Sequence, residues 1–137
     1  MILLTLTDPT PSLNEIKGRT WRAIWVKRRR AQRRMAQEIY HQLLNLPPAK
    51  RPHAPIDHAR VHIIRHSVGE LDEDNLNGGI KALLDVLKKM HPRTNPRGLD
   101  LIAADDPKHL VLVVEQKKCA MADQRTTIEI SNMDAAA

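Results

Sequence analysis

Pro47-Pro48 closes the longest regular pattern in the chain, and that pattern sets what kind of domain the sequence can build. From about Thr20 to Leu46, the residues Ala23, Ile24, Val26, Ala31, Met35, Ile39, Leu43 and Leu46 recur at three- and four-residue spacing. This predicts one long helix with an apolar stripe. Cations fill its other faces. Between Lys17 and Arg34 there is no acid, and five arginines (Arg28, Arg29, Arg30, Arg33 and Arg34) fall in seven consecutive positions. Such a stretch repels itself when free and is stabilised by a polyanion through counterion release.

The rest of the chain supplies shorter elements. Residues 2–6 predict a strand, ended by Pro9 and Pro11, which cannot continue a ladder. Residues 47–57 predict a proline-rich connector. Arg60 to His66 alternates and is β-branched, which predicts a strand with Val61 and Ile63 inward and His62 and His66 on the polar face. A second helix is predicted from about Leu76 to Met90, with Ile80, Leu83, Leu84 and Leu87 on its apolar side. Residues 91–98 hold Pro92, Pro96 and Gly98 and predict a loop. Leu110 to Val114 is apolar at every position, the pattern of a central strand buried on both faces. Thr126 to Ile130 gives a last strand, and residues 131–137 are expected to form a flexible tail. Helices and strands mix without strict alternation, so the expected class is α+β: one domain over residues 1–137, a small mixed sheet packed with helices.

Composition narrows the function. With 42% hydrophobic and 28% charged residues, the chain has neither a disordered nor a membrane composition. No apolar run reaches the roughly 18 residues of a spanning helix. The opening segment lacks a basic leader and meets Asp8-Pro9 early, so no signal peptide is expected. A single cysteine, Cys119, leaves no internal disulfide framework and no cysteine-based zinc site, and the expected location is the cytoplasm. Phe is absent, so base stacking on an aromatic platform is not the expected binding mode. The net charge of +6 is concentrated toward the start: residues 1–60 hold 12 basic and 4 acidic side chains, the remainder 10 and 12. The plainer reading of the basic run is a solvated helix face. Its density and lack of acids favour nucleic acid, with Arg22, Lys27, Arg28, Arg29, Arg30, Arg33 and Arg34 as the backbone contacts.

The carboxylates carry the chemistry. In Leu71-Asp72-Glu73-Asp74-Asn75-Leu76, an extended backbone would turn Asp72 and Asp74 to the same side. Two such groups repel unless a proton or cation lies between them, and hard oxygen ligands suit magnesium, which shares its shell with water and substrate phosphates. A second pair, Asp105-Asp106, precedes the apolar strand and could supply a third carboxylate. The competing reading is a turn and cap, with Asn75 capping the helix. An EF-hand loop from Asp72 fails, because Leu76, Asn77 and Leu83 occupy its fifth, glycine and closing positions.

These residues resemble the RusA-like Holliday junction resolvases, small phage and prophage endodeoxyribonucleases. The resemblance rests on Asp72-x-Asp74-Asn75-Leu76, on Lys81 and Asp85 with Leu84 and Leu87, and on Asp105-Asp106 before a hydrophobic strand. Pro11-Ser12-Leu13-Asn14 is similar to the family's N-terminal P-S-x-N element. The set runs from about residue 9 to residue 130. It implies a RusA-like homodimer that resolves four-way DNA junctions by phosphodiester hydrolysis in recombination and repair. It also implies Mg2+ as the cofactor, with Mn2+ able to substitute, held by Asp72, Asp74 and Asp106, Asp105 being the alternative third ligand. Lys81 is implied as the functional lysine after the D-x-D-N, offsetting phosphate charge; its plainer reading is a helix cation paired with Asp85. Asn77-Gly78-Gly79 departs from the founding pattern as a three-residue insertion, and the glycines would let the chain approach DNA closely. Neither a membrane partner nor an organic cofactor is expected. The rivals are a non-catalytic basic DNA-binding protein and a nuclease on other branched or single-stranded DNA. Trp21 and Trp25, four apart, are expected to pack on the helix rather than stack on bases.

Overall fold

A computed structural model describes residues 1–135 of the chain. Its elements in order are β1 (Ile2–Leu6), α1 (Leu13–Ile16), α2 (Trp21–Leu44), β2 (Ala59–Ser67), α3 (Glu73–Leu87), β3 (Leu110–Lys118) and β4 (Arg125–Asn132), with single 3-10 turns at Pro48–Lys50 and Met121–Asp123. The class is α+β. One four-stranded mixed sheet has the order β1-β4-β2-β3; β4 pairs antiparallel with β1 and β2, and β3 runs parallel to β2. No helix among the described residues is long and apolar enough to cross a membrane.

Alternation along the strands builds the core. Ile2, Leu4 and Leu6 of β1, Ile128 and Ile130 of β4, and Val61 and Ile63 of β2 are all buried. The register aligns them across the sheet, with Leu4 opposite Ile128 and Ile128 opposite Ile63. Met35, Ala36 and Ile39 of α2 and Ile80, Leu83, Leu84 and Leu87 of α3 complete the same cluster. The opposite sheet face mixes polar residues with Leu3, Ile64, Val111 and Val113, and on it His62 meets Glu115 of β3 at 2.6 Å.

Several sequence expectations change. Leu110 to Val114 is not a central strand: β3 is the sheet's edge, with Val111 42% and Leu112 39% exposed. An all-apolar run cannot by itself distinguish the two positions. In α2 the helix is as predicted, but its stripe is buried only from Gln32 onward; Ile24 and Val26 are exposed. Trp21 is 82% exposed, and Trp25 is half exposed with the Arg29 guanidinium 5.4 Å from its ring centre. The expected tail begins later than residue 131. Ser131 and Asn132 belong to β4, and Met133 N donates to His58 O at 2.8 Å; residues 136–137 lie outside the described residues.

Glutamines close two backbone gaps. At the outer edge of β1, Gln42 of α2 accepts from Thr5 N at 2.8 Å and donates back to Thr5 O, satisfying groups that no strand reaches. Gln116 of β3 does the same for Leu71, accepting from its N at 2.9 Å and donating to its O at 3.0 Å, which fixes the entry to α3.

Gly78 and Gly79 make room for the N-terminal turn. A Cβ on Gly79 would stand 1.8 Å from Pro11 O, and one on Gly78 would stand 2.6 Å from the Leu13 side chain. The glycines let the N-terminal turn seat directly on α3. Gly79→Ala is expected to lower the unfolding free energy by about 1–3 kcal/mol, since the clash is with backbone that cannot swing aside. Gly69→Ala, with open space around it, should stay near wild type when both are compared by urea denaturation.

Candidate functional site

The first turn of α3 organises the acidic end of the site. Asp72 is the N-cap: its Oδ1 accepts from Asn75 N at 2.9 Å and its Oδ2 from Asn75 Nδ2 at 3.1 Å. The cap is therefore Asp72, not Asn75. The segment is also not extended, because the helix begins at Glu73, and Asp74 lies within its first turn. The alternation that would turn Asp72 and Asp74 to one side does not apply. Both remain exposed, where the helix dipole favours carboxylates.

The N-terminal element docks against this turn. Ser12 caps α1, and Asn14 N donates to Asn75 Oδ1 at 3.3 Å. With Leu13 over Gly78 and Pro11 over Gly79, Pro11 to Asn14 lies against Asn75 and the two glycines despite some sixty residues of separation.

About two to four turns along α3 lies a charge network. Lys81 Nζ binds the Asp105 carboxylate and lies 3.4 Å from Asp85. Lys88 reaches Asp85 at 3.0 Å and Asp105 at 3.5 Å, and Arg28 of α2 binds Asp85 at 2.8 Å. Three cations thus enclose two carboxylates, and Arg28–Asp85 ties α2 to α3. Asp106 points elsewhere: its Oδ1 accepts from Lys108 N at 2.9 Å, and its carbonyl accepts from His109 N and Leu110 N, closing the turn into β3. Of the two candidates for the third position, Asp105 is the one brought to α3.

Burial pushes the Asp105 carboxyl up, but the hydrogen bond from Lys81 and the charges of Lys81 and Lys88 outweigh it and hold the pKa below the ordinary value. For Lys81 burial works downward, and the hydrogen bond to Asp105 with the charges of Asp85 and Asp105 holds the ammonium above its ordinary value.

Among the described residues no three of His, Cys, Asp and Glu converge on one point. Asp72 and Asp74 are exposed oxygen donors of the kind that hold magnesium jointly with water and substrate phosphates. Asp105 does not join them, being held by two lysines. The described residues form no three-carboxylate cage: both Asp72 oxygens accept from Asn75, and Asp105 is held by Lys81 and Lys88.

The seven predicted DNA-contacting cations divide. Arg28 is paired with Asp85, Arg34 with Asp8 at 3.1 Å, and Arg29 stacks on Trp25. Arg22, Lys27, Arg30 and Arg33 are exposed and have no carboxylate within ion-pair distance among the described residues. Sequence reasoning missed Arg65 and Lys88. The signal for Arg65 was available: it continues the inward alternation of Val61 and Ile63, so a cation stands at a core position. A search of family models, curated proteins and solved structures finds no match to this chain.

The lysine network makes a pH prediction. Asp105, with its pKa depressed by folding, contributes stability that is present above its unfolded pKa and is lost as pH falls through the folded one. Lys81→Met should therefore cost stability at pH 7, within about 1 kcal/mol for solvent-screened pairs. The gap from wild type should close as acid protonates Asp105. Thermal melts across pH 2 to 7 check this; a gap that stays constant to the lowest pH would mean that Lys81 acts through packing alone.

Proposed function

We propose that the chain is a magnesium-dependent, structure-selective DNA endonuclease of the RusA-like kind, acting on four-way junctions as a homodimer. The observation that carries this reading is the seating of Pro11 to Asn14 against Asn75 and the glycines of α3, with Lys81 and Asp85 further along the same helix and Asp105 held against it by Lys81. Motif segments scattered over the chain share one scaffold, α3.

The roles follow from the placements. Arg22, Lys27, Arg30 and Arg33 draw DNA phosphates along the exposed half of α2. The start of α3 presents Asp72 and Asp74 with the helix dipole behind them. Lys81 stands ready to meet phosphate charge, restrained by Asp105 in the absence of DNA. Asp72 and Asp74 would hold magnesium together with a substrate phosphate, and the ion would there supply charge stabilisation. A second reading, a non-catalytic DNA-binding protein, is favoured by the ties of Asp105 to Lys81 and Lys88, which keep a third carboxylate from the first two.

Cleavage assays on junction, duplex and single-stranded DNA, in magnesium or in EDTA, separate the readings. Asp74→Asn and Asp72→Asn, the latter conserving a capping side chain, should fold normally and abolish magnesium-dependent cutting of junctions. Binding in EDTA should persist or tighten, because a negative charge facing phosphate is gone. Variants that cut at the wild-type rate would remove both residues from the active site, and wild type that binds all three DNAs without cutting supports the non-catalytic reading.

The basic helix is tested separately. Replacing Arg22, Arg30 and Arg33 together with Gln leaves the internal pairs of Arg28 and Arg34 intact, so the fold should hold. For every phosphate that these arginines neutralise, the slope of log affinity against log salt should flatten by about 0.9 on duplex arms. An unchanged slope would make this face solvated surface only. Mass measurement in solution checks the dimer.

A further inference from the structure

Arg65 is 6% exposed and has no carboxylate within ion-pair distance among the described residues. Its Nε donates to Thr10 O at 2.9 Å and one terminal nitrogen to Gly69 O at 3.4 Å. A guanidinium held from water on neutral carbonyls alone is costly. Burial draws its pKa below the ordinary value, with the charge of Glu15 opposing. Beside it, Thr10 is 1% exposed, and its hydroxyl has no hydrogen-bond partner. Folded proteins seldom leave such a group unmatched.

Both residues line one cavity of about 630 Å³ between the N-terminal turn, α2 and the end of β2. From α2 it receives Lys27 and Arg30, neither ion-paired among the described residues. Its acids are largely engaged: Asp8 by Arg34, and Glu38 by the backbone N–H of Thr7 at 3.1 Å. Glu38, bonded to neutral donors, keeps its charge, so Glu15 and Glu38 face Lys27, Arg30 and Arg65, and the lining holds four cations against three acids. The combination of an unpaired buried cation, an unmatched hydroxyl and surplus positive charge in a concave, nucleotide-sized space is suited to an anion with several acceptor oxygens.

We propose that this cavity is a phosphate-binding site, in which Arg65 and the Thr10 hydroxyl hold one phosphate of a nucleic-acid strand and Lys27 and Arg30 complete its neutralisation. The phosphate chemistry stands on the cavity; the strand as its source rests on the DNA-binding reading above. The site needs no metal, so it is tested in EDTA.

The test follows the Arg65 Nε–H resonance of the whole chain by NMR while inorganic phosphate replaces chloride at constant ionic strength. Wild type should show a saturable shift. Thr10→Val keeps the shape and removes an unmatched buried hydroxyl, so it should melt no lower than wild type yet bind phosphate about tenfold or more weakly, the scale of a hydrogen bond to a charged group. Lys27→Gln, on the exposed face of α2, should weaken binding without touching Arg65's own contacts. An Arg65 resonance that phosphate never moves, or Thr10→Val binding phosphate as wild type does, overturns the site. Thymidine monophosphate and a short thymidine oligonucleotide then distinguish the source. The oligonucleotide should shift Arg65 and compete with phosphate; if only the mononucleotide does so, the strand assignment is overturned while the cavity stands. Junction cleavage takes no part in these readings, so the two proposals fail separately.

Discussion

Pairing of β2 along both of its edges is the constraint on which the other placements depend. β4 binds one side antiparallel and β3 the other parallel, so β2 cannot move without opening the sheet. Its inward side chains, Val61 and Ile63, anchor the core, and the next inward position places Arg65 where the core meets the N-terminal turn. The parallel pair also demands a long crossover, and that crossover is α3, the element carrying Asp72, Asp74, Lys81 and Asp85. The candidate site and the phosphate cavity are thus both set by one strand's neighbours.

The basic helix divides its labour between folding and binding. Arg28 and Arg34 hold acids of α3 and of the N-terminal turn, and Arg29 covers Trp25. The cations without such duties lie mainly on the half of α2 whose apolar residues, Ile24 and Val26, are also exposed. A run that looks uniform in sequence is therefore heterogeneous in energy: some members are partly neutralised in place, while others keep their full attraction for a polyanion.

Much of the fold is legible from periodicity. The long helix ends within two residues of its predicted limits, and the inward set of β2 follows its alternation. What stays hidden depends on neighbours distant in sequence. Leu110 to Val114 is apolar enough for a central strand, but strand order is fixed by the crossover and by β4, and these place it at the edge. D-x-D carries no sign of where the helix starts, so an extended Asp72–Asp74 segment is the natural reading of the sequence; a helix that begins at Glu73, capped by Asp72, decides otherwise. The glycines at 78 and 79 are legible as unusual but not in purpose, since Pro11 and Leu13 meet them only in three dimensions. The residue types of the site can be named from sequence; their mutual arrangement, above all Asp105 held by two lysines, cannot.

The junction of β1 with β4 has a consequence for how this molecule comes into being. Ile2 lies opposite Ile130, so the first strand of this sheet in chain order has the last as its neighbour. Pairings this far apart in sequence form late and slowly, because the loop entropy is given up before the pairing compensates for it. On a ribosome, β1 and the inner face of α2 would wait, unshielded, until β4 emerges. The arginine-rich helix would spend that interval undocked beside ribosomal RNA, itself a polyanion. A fold built this way closes only once β4 is available to β1.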